Sequence, residues 1–359
     1  MLHALIMAGG GGTRFWPRSR LSKPKQFLAL AGSTSLLQQA QERIEAMIPP
    51  TRTWVITGAS YCAETARQLP ALPAERIVGE PCGRDTAACI GLGAALITRT
   101  DPEAVMLVMP ADHAIEPAQE FRRAVQAAEQ VVLDEPHALV TFGIRPTFPA
   151  TGYGYIERGA ELKAYQGIPI LHVASFREKP HIEIAEQYAV SGKHFWNSGI
   201  FVWRAATILA ELRTHQPALV DAVLRIADAW DTAASDDVLA REYAAMTKIS
   251  IDYAVMEKAR KVLMAQAPFQ WDDVGSWLAL ERRSPQDAHD NTVLANHLGI
   301  DTHNCVIAGD TDRLIATLGV SDLIIIQDGD AILVTHRNEE GNIKKIVEQL
   351  KKPGLEKYL

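Results

Sequence analysis

Ala4-Leu5-Ile6-Met7-Ala8-Gly9-Gly10-Gly11-Gly12-Thr13-Arg14 decides how the rest of the chain is read. An apolar run ends in consecutive glycines and a cation follows. Lys25 comes soon after, in Pro24-Lys25-Gln26-Phe27. A short apolar run bounded by glycine predicts a buried strand. Consecutive glycines let the backbone take φ > 0 and bring its N–H groups up to phosphate oxygens with no Cβ in the way. Arg14 and Lys25 add positive charge, one as a planar fork and one as a point charge. The segment therefore predicts a nucleoside triphosphate site. It is not a P-loop, because no Gly-Lys-Ser/Thr occurs in the chain. It is not a dinucleotide fingerprint either: Gly9 and Gly11 lead to Arg14, and Gly10 and Gly12 lead to Phe15. Alone, it reads equally well as a flexible surface turn, so the remaining segments must decide.

Moving outward, β-like runs at Ala4–Met7, Trp54–Thr57, Arg76–Val78, Ala104–Met109 and Ala138–Phe142 alternate with helical patterns. The helices are expected around Ser35–Met47, Tyr61–Leu69, Thr86–Thr98 and Glu120–Leu133. Strands spaced by such helices predict an α/β, Rossmann-like, mainly parallel sheet flanked by helices, with ligands at the carboxyl ends of the strands. Further strands are expected at Gly152–Ile156, Leu171–Phe176 and Gly199–Trp203, then helices from Ala205 to about Lys258. A polar, proline-bearing stretch at Arg283–Asn291 predicts a boundary. The expected division is a catalytic domain over 1–286 and a small β-helical or β-roll domain over 287–359. In the latter, brief runs at Thr292–Leu294, Cys305–Ile307, Leu314–Ala316, Leu323–Ile326 and Ala331–Val334 are separated by turn residues. Those late strands read as packing material apart from the chemistry. Gly341–Leu350 reads as a terminal helix, with Lys344, Lys345, Lys351 and Lys352 near its C-terminal half.

Composition narrows the function. The 359 residues are 47% hydrophobic and 22% charged, as in an ordinary soluble globular protein. Net charge is −7 and no basic stripe occurs, which argues against nucleic acid. No apolar run reaches membrane-spanning length, and Met1-Leu2-His3 runs straight into the first strand, leaving no room for a signal peptide. Cys62, Cys82, Cys89 and Cys305 form no C-x-x-C pair, so reduced thiols in a cytoplasmic protein are expected.

Four further segments carry chemistry. Val108-Met109-Pro110-Ala111-Asp112-His113 puts a carboxylate just beyond a very apolar strand, and Trp271-Asp272-Asp273-Val274-Gly275-Ser276-Trp277 puts another beside an aromatic turn. Two carboxylates at strand ends near a phosphate loop suit Mg²⁺, which binds through one or two carboxylates plus substrate phosphates. Read singly, each Asp is a turn former or helix cap. Glu178-Lys179-Pro180 and Trp196-Asn197-Ser198-Gly199 suggest a polar-ligand pocket. Glu178 and Asn197 can bind hydroxyls and Lys179 a monophosphate, and the plain alternative for each is surface charge or a turn.

Taken together and in this order, the glycine loop, Pro24-Lys25-Gln26-Phe27-Leu28, Pro110-Ala111-Asp112-His113, Gly152-Tyr153-Gly154-Tyr155-Ile156, Glu178-Lys179-Pro180, Trp196-Asn197-Ser198-Gly199-Ile200-Phe201 and Asp273-Val274-Gly275-Ser276-Trp277 resemble the mannose-1-phosphate guanylyltransferases of the sugar nucleotidyltransferase superfamily. The resemblance covers the whole chain. It is to the short, single-function type, without the cupin-type isomerase domain of longer members. It implies that GTP and α-D-mannose 1-phosphate give GDP-mannose and pyrophosphate by in-line attack of the sugar phosphate on the α-phosphorus, with Mg²⁺. Carried over by position, the Ala8, Gly9, Gly10, Gly11, Gly12 and Thr13 backbone and Arg14 cradle the triphosphate, and Lys25 neutralises the transferring phosphates. Asp112 and Asp273 hold the metal, with Asp112 also at the nucleotide. Gly154, Glu178 and Asn197 hold the mannose hydroxyls, Lys179 the sugar phosphate, and Glu80, Pro81, Arg84 and Thr86 border the guanine. A homodimer is the expected assembly.

Two departures stand out. Family members usually read Arg-Asn-Thr-Ala-Pro where this chain has Arg84-Asp85-Thr86-Ala87-Ala88, and Asp cannot donate as Asn does. Arg18 stands where Leu is usual, and a surface position is expected for it. Two alternatives stay open: a sister hexose-1-phosphate nucleotidyltransferase of different base or sugar, such as a glucose-1-phosphate thymidylyltransferase, and a catalytically silent sugar-nucleotide-binding regulatory subunit. Phe27 and the Trp196–Phe201 run favour the mannose branch. Retention of Arg14, Lys25, Asp112 and Asp273 disfavours the silent subunit.

Overall fold

The computed structural model describes residues 1–30 and 32–359. These divide into two compact units. The first comprises Met1–Gly9, Ala40–Ala111 and Ile115–Trp271. Its strands are β1 (Leu2–Ala8), β2 (Thr53–Gly58), β3 (Ile77–Glu80), β4 (Val105–Pro110), β5 (Leu139–Ile144), β6 (Tyr155–Tyr165), β7 (Ile168–Arg177), β8 (His194–Arg204) and β9 (Val262–Gln266). Among the described residues they form one nine-stranded sheet in the order β3-β2-β1-β4-β8-β5-β9-β7-β6. Pairings β3–β2, β2–β1, β1–β4 and β9–β5 are parallel, whereas β8 and β7 run antiparallel to their neighbours. The sheet is thus mixed and mainly parallel.

The apolar Ala4–Met7 run explains its central place. Leu5 and Ile6 are fully buried on opposite faces of β1, as a strand covered on both sides requires. Leu5, Ile56, Met106 and Val108 pack with Ile90, Leu96 and Ile97 of the helix Asp85–Thr100 and with Val223 and Ile226 of the helix Pro217–Ala229. Each such side chain contributes about 1.5–3 kcal/mol relative to exposure. The expected early strands and helices all form. The helix Ile182–Val190 and strand β9 go beyond the sequence reading; β9 is a short apolar run and the helix a short segment broken by Glu183, Glu186 and Gln187, and no periodicity distinguishes either.

The second unit is discontinuous: Gly10–Gln39, Asp112–Ala114 and Asp272–Leu359. Its strands are β10 (Thr292–Leu294), β11 (Asn296–His303), β12 (Val306–Ala308), β13 (Leu314–Ser321), β14 (Leu323–Asp328) and β15 (Ala331–His336). Val306 pairs in parallel with Thr292 on one side and Ile324 on the other, and β11 pairs in parallel with β13. This is the stacked-rung pattern of a small β-helix, and β15 turns back antiparallel to β14. The rungs differ in length, which is why the sequence shows no regular period.

Two expectations fail in this unit, the surface place for Arg18 and the lysines near the end of the last helix. The late strands do serve as packing, and they pack against the glycine-loop segment: Phe15, Trp16, Leu28 and Leu30 share one core with Trp277, Val306, Ile324, Ile326, Leu333 and Ile343. Arg18 is half-buried, 3.7 Å from Asp328 and donating to the Gly309 carbonyl at 3.5 Å. The last helix runs Ile343–Leu350, so Lys344 and Lys345 fall in its first turn, where cations oppose the dipole, and only Lys351 and Lys352 lie at its C-terminal end. Cys62, Cys82, Cys89 and Cys305 are free thiols. No helix among the described residues is long and apolar enough to cross a membrane.

Candidate active site

In the second unit the glycine loop folds back on Lys25. Gly10 and Gly12 take φ of 94° and 55°, and Gly10 and Gly11 are exposed. A Cβ on Gly12 would lie 2.2 Å from Lys25 Cβ, so glycine is required there twice, by conformation and by space. The Gly12 carbonyl accepts from Phe15 N–H at 2.9 Å and from Ser19 Oγ at 2.8 Å, closing the short helical turn Thr13–Phe15. Arg14 projects from this turn and is exposed.

Lys25 is 6% exposed. Its Nζ donates to Asp112 Oδ2 at 2.6 Å and to the Asp273 carbonyl oxygen at 2.6 Å. One buried cation thus ties together the two carboxylate-bearing segments that the sequence singles out. Burial alone would raise the Asp112 carboxyl. The Lys25 ammonium, His113, and hydrogen bonds from Lys25 and the backbone outweigh it and hold Asp112 below the usual carboxylate range.

The two neighbouring aspartates are sorted by their partners. Asp272 accepts from Arg282 Nε at 2.6 Å and Nη2 at 3.0 Å, and from Val274 N–H at 2.7 Å. Its carboxylate is committed to the fold. Asp273 Oδ1 accepts from Gly275 N–H at 2.9 Å, and a Cβ on Gly275 would lie 2.8 Å from Oδ2, so glycine there makes room for the carboxylate. Between Asp273 and Gly275, Val274 is buried with φ 46°. A β-branched residue in that region stores strain, and such strain concentrates at functional sites.

In the first unit a cavity of about 400 Å³ is lined by Glu178, Lys179, Asp252, Lys248, Ser250 and Thr86 among others. Lys179 Nζ lies 2.9 Å from Glu178 Oε1. A Cβ on Gly154 would lie 2.5 Å from Glu178 Oε2, so glycine there makes room for the carboxylate. Asn197 N–H donates to the Gly154 carbonyl at 2.8 Å. Gly154, Glu178, Lys179 and Asn197, scattered in sequence, are therefore assembled in one region. Phe148 and Tyr153 each meet Trp196 edge-on, and Trp271 meets Tyr153 in the same way.

Asp252 escapes the sequence reading. Its Oδ1 accepts from Asn197 Nδ2 at 3.0 Å. Burial and the nearby Glu178 push its carboxyl up to about 7. Its only sequence signal is a local one, Ser250-Ile251-Asp252 opening a helical turn, and that turn is a π-helix over Asp252–Met256.

The segment expected at the base is partly committed to protein contacts. Arg84 donates through Nε to the Tyr243 carbonyl at 3.2 Å and through Nη2 to that of Ala244. Glu80 accepts from the Tyr243 hydroxyl, and burial raises its carboxyl. Thr86 Oγ1 accepts from Ile251 N–H at 2.8 Å. Pro81 is exposed. Asp85 takes φ 66°, a value Asn and Asp tolerate best, and its Oδ1 accepts from Thr86 N–H at 2.8 Å.

Comparison with known proteins supplies the family. The nucleotidyl transferase family model matches residues 3–290, and the mannose-phosphate isomerase/GMP-like β-helix model matches residues 295–350. A mannose-1-phosphate guanylyltransferase of Klebsiella pneumoniae is 40% identical over 362 residues, spanning 100% of this chain and 76% of that protein. One from Escherichia coli is 39% identical, spanning 98% and 74%. The chain belongs to the mannose-1-phosphate guanylyltransferase family. A Thermus thermophilus crystal structure described as a mannose-1-phosphate geranyltransferase matches with TM-score 0.87 and 37% identity over 98% of this chain and 99% of that one. Membership makes the protein a nucleotidyltransferase, in a family that generally depends on a divalent metal.

Proposed function

We infer that this protein transfers GMP from GTP to α-D-mannose 1-phosphate, giving GDP-mannose and pyrophosphate. The observation that carries this reading is the similarity along the full chain to enzymes named for that reaction. The Lys25–Asp112–Asp273 cluster supports the mechanism. The sugar phosphate oxygen attacks the α-phosphorus in line, and pyrophosphate departs from the opposite side. No protein nucleophile takes part, so the chain supplies position and charge. The glycine-loop backbone from Ala8 to Thr13 and the exposed Arg14 bind the triphosphate. Lys25, preorganised by two hydrogen bonds, neutralises charge as the phosphates separate.

Asp112 and Asp273 fit Mg²⁺. They are hard oxygen donors, Asp112 is kept ionised, and the rest of the shell falls to phosphates and water. When bound, Mg²⁺ neutralises phosphate charge and helps pyrophosphate to leave. Glu178, Asn197 and Gly154 hold the mannose hydroxyls, and Lys179 the sugar phosphate. Glu80, Pro81, Arg84 and Thr86 border the guanine.

Pyrophosphate release measured with each nucleoside triphosphate against each hexose 1-phosphate, with and without Mg²⁺, tests the reading. GTP with mannose 1-phosphate should be the fastest pair, and chelation should abolish it. Faster turnover of UTP or dTTP with glucose 1-phosphate would sink the guanylyl assignment and point first to Asp85.

A further inference from the structure

The Asn197 amide is held at both ends. Nδ2 donates to Asp252 Oδ1 at 3.0 Å, and Oδ1 accepts from Thr141 Oγ1 at 2.9 Å. The Thr141 end does not fix the sense of the amide. That hydroxyl also reaches the Ile200 carbonyl at 3.1 Å, so it can donate there and accept from an Asn197 NH₂ instead. The Gly199 N–H, at 3.4 Å from Asn197 Oδ1, adds only a weak preference. Asp252 is different. An ionised carboxylate only accepts, so it demands the NH₂ side, and turning the amide over would set oxygen against oxygen. A protonated Asp252 can donate and removes that demand.

We propose that Asp252 is a positioning residue for hexose 1-phosphate recognition: its ionised carboxylate sets which end of the Asn197 amide is presented to the sugar. The proposal rests on the guanylyltransferase reading for the identity of the sugar, and on the Thr141–Asn197–Asp252 geometry for the rest. Burial of Asp252, together with the charge around it, makes the switch accessible near neutrality. Glu178 opposes its ionisation, Lys179 favours it, and Asp85, Lys248 and Tyr253 complete the charged and titratable lining of the cavity. With the carboxyl at about 7, the ionised form is lost as pH falls below that value.

The test has two arms. In ligand-free wild-type protein, the Asn197 side-chain amide resonances should shift with pH through a midpoint near that of Asp252, and this arm needs no variant. In the second arm, the KM for mannose 1-phosphate is measured from about pH 6 to 8.5 for wild type and Asp252→Asn, with the KM for GTP as control. The wild-type KM should rise as pH falls, beyond what the substrate phosphate's own ionisation near about 6 produces in both proteins. Asp252→Asn, which like the protonated acid can meet either end of the Asn197 amide, should raise the KM about tenfold at about pH 8, with a flatter profile and unchanged KM for GTP. Amide resonances that do not titrate, or an Asp252→Asn enzyme with wild-type KM and pH profile, would overturn the proposal. Titrating resonances in a protein that ignores mannose 1-phosphate would instead overturn the choice of sugar.

Discussion

Asp112 and Asp252 are both partly buried aspartates in polar surroundings, and the fold pushes them in opposite directions. Asp112 has a cation in contact, Lys25 at 2.6 Å, and stays ionised despite burial. Asp252 has another carboxylate, Glu178, as its principal charged neighbour, and its hydrogen bond is to an amide. The difference matches the task proposed for each region. A group that is to hold a cation needs a fixed negative charge. A group that sorts sugar hydroxyls works through the direction of hydrogen bonds, and a carboxylate poised near neutrality can set that direction without a permanent counter-ion.

The largest effect should come from removing fixed charge in the first of these regions. Asp112→Asn and Asp273→Asn should each lower kcat by ~10³-fold and raise the Mg²⁺ requirement, while Asp272→Asn, which loses an ion pair to Arg282, should change kcat only modestly. Assay of the three variants across a Mg²⁺ titration checks this, and a reversed ranking of Asp272 and Asp273 would break the assignment. Lys25→Ala comes next, with kcat down ~10²-fold or more. Because Lys25 is buried and bonded twice, its loss should also lower Tm, which thermal unfolding alongside kinetics would detect. A kcat within about tenfold of wild type would place Lys25 outside the charge-stabilising shell.

The smallest effect sharpens the contrast in pH. The raised Asp252 carboxyl binds a proton in the folded state that it lacks when unfolded, between about pH 4 and its folded value of about 7. Stability from this group therefore falls as pH rises through that window. The lowered Asp112 has the opposite sign: its contribution is present above the unfolded value and is lost as pH falls through the folded one. Relative to wild type, Asp252→Asn should gain Tm steadily from about pH 4 to about 7 and level off above. A Tm difference that does not vary with pH would mean that Asp252 titrates normally.

Much of this is legible in the residues. Ala4–Ala8 announces a doubly buried strand, and the glycine loop announces itself by conformation. Lys25, Asp112, Glu178 and Asn197 stand out because each residue type at a strand end or in a short motif has a chemical use. What a linear reading misses is who touches whom across long separations. Asp252 lies far along the chain from Asn197, and only folding makes them partners. The environment of Lys25 is hidden for the same reason: Pro24-Lys25-Gln26 looks like a polar loop, yet it is buried. The β11 strand escapes although Leu298, Ile300 and Thr302 alternate with His297, Gly299 and Asp301; the alternation is short, and Leu298 and Ile300 are exposed.

The discontinuity of the second unit has a consequence for the order of events during synthesis. Trp16 Nε1 donates to the Tyr358 carbonyl at 2.9 Å, and the Trp16 carbonyl accepts from Trp277 Nε1 at 3.2 Å. The glycine loop, for which nucleotide binding is proposed, is made at the start of translation, but the residues that pack beneath it leave the ribosome last. At ~5–20 residues per second, the loop waits on the order of tens of seconds for its floor. A nascent or prematurely ended chain therefore carries that loop without its packing partners, which arrive only with the final rungs and helix.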